Sequence, residues 1–248
     1  MATDTITYQG TIENKYAYDK VSNRTGKTTK VTGNVDDYTE DVETGNRISK
    51  QVNEEEKVFY LNDTYISLTQ VALELTKNTD NTYKVNKYYT RGLELISADI
   101  QENVTEDTTE NTTENTTKTY CHKIYVQDGH GSVTALVENS KITDTYTYDS
   151  YGIMLKKTGD TDNDYFYTGE QYNESTGLYY LRARYMSPET GTFTTMDTYA
   201  GTLDNPVSLH KYLYANGNPV MYTDPTGNFS LMETNVAQHR ESRQQLIQ

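Results

Sequence analysis

Polar and apolar positions alternate in short runs that close on Asp, Asn or Gly along most of the chain, and helical spacing is nearly absent until the last dozen residues. A period of two between turn-forming residues marks strands joined by tight turns. Tyr16-Ala17-Tyr18-Asp19 leads into Ser22-Asn23-Arg24, and Tyr146-Thr147-Tyr148-Asp149 leads into Ser150-Tyr151-Gly152. In each, tyrosines at i and i+2 share one strand face and the aspartate starts a turn. Tyr165-Phe166-Tyr167 before Thr168-Gly169, and Tyr212-Leu213-Tyr214 before Asn216-Gly217, read as strand-then-turn units of the same make. Between Tyr60 and Thr76, Val71, Leu73 and Leu75 fall on one face, with Gln70, Ala72 and Glu74 on the other, which predicts a half-buried strand. The pattern predicts an all-β chain built on an antiparallel, tyrosine-rich sheet.

Four stretches differ in texture. Residues 1–100 carry looser strand-and-turn patterning, and 101–119 is a low-complexity run of Glu, Asn and Thr that predicts a solvated loop or hairpin tip. Patterning is densest over 120–228. Residues 229–248 form a polar tail, with Val236–Gln248 read as a frayed helix or a disordered end.

Composition changes this picture in one respect. Only 34% of residues are hydrophobic and the mean hydropathy is -0.84, values that on averages alone point to a weakly folded chain. The 24 tyrosines, against four phenylalanines and no tryptophan, point the other way. Tyrosine buries a large ring while satisfying its hydroxyl, and Tyr and Thr both favour strands. A formal net charge of -14 has the wrong sign for phosphate backbones and for anionic membrane surfaces. The lone Cys121 excludes an intramolecular disulfide and a cysteine-rich zinc site. No apolar stretch approaches the roughly 18 residues of a spanning helix. Met1–Gly10 lacks the features of a signal peptide, so the chain is expected to be cytoplasmic or an internal piece of a longer protein.

Residues 165–228 carry Tyr167-Thr168-Gly169-Glu170-Gln171-Tyr172, Thr176-Gly177-Leu178-Tyr179-Tyr180-Leu181-Arg182-Ala183-Arg184-Tyr185, and Ser187-Pro188-Glu189-Thr190-Gly191-Thr192-Phe193. Asn216-Gly217-Asn218-Pro219-Val220 and Asp224-Pro225-Thr226-Gly227 follow, with Asp128-Gly129-His130-Gly131-Ser132-Val133 upstream. In order and density these motifs resemble the Rhs-repeat-associated core at the C-terminal end of Rhs/YD-repeat proteins. The resemblance implies an antiparallel sheet curling into a partial shell or spiral that encloses or presents a C-terminal effector. It also implies an extracellular or cell-surface setting in bacteria, and partners that are an effector polypeptide or another Rhs chain. Unpaired sheet edges would add self-association. No cofactor, nucleic acid or membrane insertion is expected.

In that family the core often acts as an aspartyl-type autoprotease cutting just past Asp-Pro-x-Gly. The resemblance places its catalytic carboxylates at Asp197 and Asp224, with Arg184 as a supporting charge. Two carboxylates sharing a proton can activate water, and a nearby arginine can steady the developing oxyanion. The alternative reading is that Asp224 starts the turn before Pro225 and Asp197 caps another. Asn228 stands where the family places a bulky apolar residue, and Gly191-Thr192-Phe193 replaces its Gly-Arg-Phe. The 20 residues after Asn228 are too few for a folded toxin. A structural role is therefore expected over a catalytic one, with self-cleavage and a self-assembling or adhesive scaffold as the alternatives. Cys121, His122 and His130 lack paired metal-ligand spacing, and Gly129-His130-Gly131 lacks the strand-to-helix context of a phosphate loop.

Overall fold

The computed structural model describes residues 2–7, 11–18, 24–32, 36–40, 46–52, 55–63, 68–105, 116–204, 206–228 and 230–232. The chain is all-β. Its large sheet holds β1 (Ala2–Thr7), β2 (Thr11–Tyr18), β3 (Arg24–Thr32), β4 (Asp36–Glu40), β5 (Arg47–Val52), β6 (Val58–Asp63) and β7 (Gln70–Lys77). It continues through β8 (Tyr83–Arg91), β9 (Leu95–Thr105), β10 (Thr116–Gln127), β11 (Val133–Glu138), β12 (Lys141–Tyr148) and β13 (Met154–Thr158). Strand order in space is strand order in sequence, each neighbouring pair is antiparallel, and β1 and β13 stand at opposite ends, so the sheet is open. A smaller sheet follows from β14 (Gln171–Asn173), β15 (Leu178–Leu181), β16 (Arg184–Ser187) and β17 (Thr192–Phe193). A last pair joins β18 (Tyr222–Thr223) to β19 (Leu231–Met232).

Two turns show why the tyrosine–aspartate pattern works. Asp149 Oδ1 accepts from the backbone N–H of Tyr151 (2.9 Å) and Ile153 (2.8 Å), and Gly152 turns the chain at φ +90°. Asp128 Oδ1 does the same for His130 and Ser132, both at 2.9 Å, with Gly131 at φ +82°. The aspartate carboxylate thus replaces the ladder partners that a turning backbone gives up. The corresponding turn expected after Tyr18 falls on 19–23, outside the described residues.

Residues 159–228 form a cap over one face of the large sheet. Tyr60, Val71, Tyr89, Ala98, Ile100, Tyr125, Leu136 and Tyr146 from the sheet share one apolar core with Tyr165, Phe166, Tyr179, Leu181, Met186, Phe193 and Tyr214 from the cap. Aromatic edges meet faces across this boundary, as in Tyr89–Tyr165 and Tyr146–Phe166, each with centroids 5.0 Å apart. Several buried tyrosine hydroxyls there find acceptors. Tyr125 donates to Asn163 Oδ1 (2.8 Å) and Tyr179 to the Gly152 carbonyl (2.9 Å). This is how a chain with so negative a hydropathy holds a core.

Three local expectations are corrected. Tyr165 and Leu213 make single bridges, and Tyr167–Gly169 and Tyr214–Gly217 are short 3-10 turns with left-handed Thr168, Ala215 and Asn216, so these units are not strands. The first of these units buries Tyr165, Phe166 and Tyr167 in succession, which a strand with one solvent face cannot do. In β7, Val71, Glu74 and Thr76 are buried while Leu73 and Leu75 are half-buried. A register shift against β6, where Leu61 opposes Leu73 but Asn62 opposes Val71, skips Ala72 and moves the rest of the strand to the other face. In the sequence Arg182 and Arg184 alternate with apolar bulk, which predicts a strand with an inner and an outer face, yet in β15 and β16 every residue is buried. β9 and β10 pair from Ser97–Ile124 to Thr105–Thr116, and the centre of the low-complexity run, 106–115, lies outside the described residues, as does Val236–Gln248.

The shifted register brings Glu74 inward beside Lys87 of β8. Lys87 Nζ donates to Asp164 Oδ2 of the cap, lies 3.0 Å from Asp162 and 3.8 Å from Glu74 Oε2, while Tyr89 OH donates to Glu74 Oε1 at 2.9 Å. Burial, with the Asp164 charge behind it, pushes the Glu74 carboxyl from its ordinary 4.5 up to about 7, against the pull of Lys87. The folded protein therefore binds this proton more tightly than the unfolded chain does, and stability falls as pH rises from about 4.5 to 7. Glu74→Gln should lack that slope. Between pH 5 and 8 the stability difference should move toward the variant by on the order of 2 kcal/mol in urea denaturation. Parallel pH profiles would show that Glu74 titrates normally.

Candidate functional site

The Asp-Pro-Thr-Gly segment leaves β18 at Asp224 and folds back against the β15–β16 hairpin. Ala183 N–H donates to the Thr226 carbonyl at 3.4 Å. Gly227 sits at φ +74°, and a Cβ there would lie 2.2 Å from the Leu181 carbonyl oxygen and 3.0 Å from the Arg184 nitrogen. Only glycine allows this approach.

Arg184, Asp197 and Asp224 meet at this place although they come from β16, the loop after β17 and the end of β18. Arg184 Nη2 donates to Asp197 Oδ2 at 2.8 Å and lies 3.6 Å from Asp224 Oδ2. Arg184 Nε donates to the Gly227 carbonyl, and Nη1 to the Lys211 carbonyl at 3.1 Å. The guanidinium carbon is 3.5 Å from the centre of the Phe193 ring, a cation–π contact. Burial draws the Arg184 guanidinium below its ordinary range against the opposing pull of Asp197 and Asp224, and an arginine so placed stays charged. Asp224 is 2% exposed and accepts from Thr226 Oγ1 at 3.1 Å. Asp197 Oδ1 accepts from Tyr199 N–H at 2.8 Å. Both aspartates thus also order their own turns, as the alternative reading expected. The two carboxylates converge on one guanidinium nitrogen, whose charge faces both of them.

Neither sequence departure touches this centre as it would seem to. Thr192 Oγ1 pairs with Thr190 Oγ1 at 2.7 Å, and it is Phe193 that faces Arg184. Asn228 N–H donates to Thr226 Oγ1 at 3.1 Å, so the residue after the glycine still belongs to the turn.

Sequence reasoning passed over Arg182 and Glu170. Arg182 Nη1 donates to both Glu170 oxygens (2.9 and 3.1 Å) and to the Pro225 carbonyl, and its Nε reaches the Thr69 carbonyl at 3.0 Å. Both charges sit in the quoted motifs, but only the acceptors on Glu170, Pro225 and Thr69 show that the Arg182 side chain turns inward. Cys121, His122 and His130 are not assembled: His122 pairs with Asp99 at 2.8 Å and His130 lies against Tyr167 in the β10–β11 turn. Burial and a hydrogen bond with Glu102 push the Cys121 thiol up to about 11.

The chain is 35% identical over 199 residues to the tRNA3(Ser)-specific nuclease WapA of Bacillus spizizenii and 36% identical over 199 residues to the tRNA nuclease WapA of Bacillus subtilis strain 168. Each match covers 78% of this chain, which spans 8% of the length of those relatives. The chain belongs to the Rhs/YD-repeat family. A shorter match, 33% identical over 107 residues and 42% of the chain, is to salivary gland surface protein 1 of Aedes aegypti, of which it covers 3%. No family model matches the chain. Its fold is similar to the crystal structure of TcdB2-TccC3-Cdc42 (TM-score 0.56, 18% identity, 93% of this chain and 10% of that one). It is also similar to a Photorhabdus luminescens Tc holotoxin pore (TM-score 0.52, 15% identity, 90% and 14%). Among the described residues no helix is long and apolar enough to cross a membrane.

Proposed function

We propose that this chain is a wall-and-cap segment of an Rhs/YD-repeat shell, acting on an enclosed or presented C-terminal effector by holding it. The observation that carries this reading is the cap of residues 159–228 lying on a sheet of thirteen sequential strands, with one shared core between them. Sequential antiparallel strands extend a wall without crossovers, and a cap fused to its end covers one face. The partner is an effector polypeptide or a further chain of the same family, and the two end strands offer edges for self-association. The setting that fits is extracellular or cell-surface. The tRNA nuclease activity named for the Bacillus relatives is not extended to this segment, whose charge of -14 opposes phosphate binding.

A second reading, single-turnover self-cleavage, is favoured by one observation: Arg184 holds both carboxylates and the Gly227 carbonyl at once. Water would add to the Gly227 carbonyl carbon polarised by Arg184. Asp197 or Asp224 would take the proton of that water, and a proton would pass to the Asn228 nitrogen as the C–N bond breaks. Intact-mass spectrometry with limited trypsin digestion tests both readings. A wall-and-cap segment should resist cutting at Arg47, Lys87, Lys123, Arg182 and Arg184, all of them buried or nearly so; early cuts at Arg182 or Arg184 overturn it. Self-cleavage should remove about 20 C-terminal residues and be abolished by Asp224→Asn. A wild-type chain that keeps its full mass removes the second reading.

A further inference from the structure

The β15–β16 hairpin has a two-residue turn, Arg182-Ala183, between the paired residues Leu181 and Arg184. Its first turn residue is left-handed at φ +56°. Two-residue hairpins that need a positive φ at this place favour glycine, and an arginine there carries backbone strain. Strain of this kind persists where the surroundings over-determine it, and the surroundings of Arg182 do so. Its side chain is 12% exposed and spends its donors on three separate parts of the molecule: Glu170 ahead of β14, the Pro225 carbonyl inside Asp-Pro-Thr-Gly, and the Thr69 carbonyl just before β7 of the large sheet. Glu170 Oε1 and Oε2, both near Nη1, supply the counter-charge that keeps this cation buried.

From this geometry we infer that Arg182 is a positioning residue for the Asp-Pro-Thr-Gly turn, fixing the Pro225 carbonyl so that the Gly227 carbonyl arrives on Arg184, and tying that placement to the sheet through Thr69. The inference deepens the self-cleavage reading and rests on it for its catalytic consequence; the seating of the turn is independent of whether the bond is cut. Two arginines of one hairpin, separated by Ala183, then divide the work. Arg182 grips the turn at Pro225 and Arg184 at Gly227, the carbonyl of the peptide that precedes Asn228. A wall strand that shifted at Thr69 would pull on the same guanidinium, so the turn would sense the sheet.

The test uses Arg182→Gly, which removes the side chain while giving the turn the residue its backbone favours, so the hairpin itself should fold at least as well. Hydrogen exchange read by mass spectrometry should show the amides of Gly227 and Asn228 exchanging about tenfold faster or more, with those of β15 and β16 unchanged. Arg182→Lys, which keeps a cation for Glu170 and Pro225, should restore most of the protection. Glu170→Gln should loosen the same two amides with the turn backbone untouched. Unchanged protection at Gly227 and Asn228 in Arg182→Gly overturns the inference. Where the wild-type chain is cut, the cutting rate should fall at least tenfold in Arg182→Gly and recover in part in Arg182→Lys. A wild-type chain that is never cut removes the self-cleavage reading while the exchange data still decide the positioning role.

Discussion

Replacing Lys87 with methionine should lower the unfolding free energy by about 3–5 kcal/mol, one of the two largest effects expected from a single substitution in this chain. Lys87 is 5% exposed and is the cation that Asp164 and Glu74 meet where cap and sheet join. Methionine fills much the same volume, so the loss is electrostatic. Asp164, which Lys87 holds below the usual carboxylate range against the cost of burial, would be left without its hydrogen-bonded cation. Breaking a buried pair costs far more than the pair itself is worth, because the abandoned charge stays in a poor dielectric. Urea denaturation of the single and double variants checks this. Lys87→Met with Asp164→Asn should recover part of the loss, giving a coupling energy above about 1 kcal/mol. A loss under about 1 kcal/mol for Lys87→Met alone would mean that the cluster is solvated and the cap is held by its tyrosines only.

That cluster also marks where reading the sequence stops. Tyr148-Asp149 followed by Gly152 is legible because each residue's role is local: a ring on one face, a carboxylate over its own turn, a glycine at positive φ. Arg184, Asp197 and Asp224 are legible as a group only through the family resemblance, since 40 positions separate the first from the last and nothing in their spacing brings them together. Glu74 was legible as a strand residue but assigned to the wrong face. Its burial depends on the residue skipped at Ala72, and a register shift belongs to two strands, not to one. Arg182 failed for a related reason. An arginine beside apolar residues reads as a solvated face, and only its three acceptors, on Glu170, Pro225 and Thr69, turn it inward.

Gly227→Ala should unseat the Asp-Pro-Thr-Gly turn and cost on the order of 3 kcal/mol or more, beyond the roughly 1–2 kcal/mol of a left-handed non-glycine residue. The added methyl would have to occupy space 2.2 Å from the Leu181 carbonyl and 3.3 Å from the Ala183 nitrogen, both backbone atoms that no rotamer change can move. The turn would have to lift, and Arg184 would lose the Gly227 carbonyl while keeping Asp197. Asp224, now 2% exposed, would come into contact with water. Gly217→Ala is the matched control: its φ is +73°, yet a methyl there would meet nothing nearer than the Leu213 side chain at 3.7 Å, so it should carry the conformational cost alone. Thermal unfolding of the two variants, with protease susceptibility read around 224–232, separates close approach from backbone strain. The alanine at 227 should be clearly the more destabilising and should open that stretch to cutting, whereas equal losses at both positions would show that the turn does not rest on the hairpin, and that Arg182 and Arg184 grip nothing fixed.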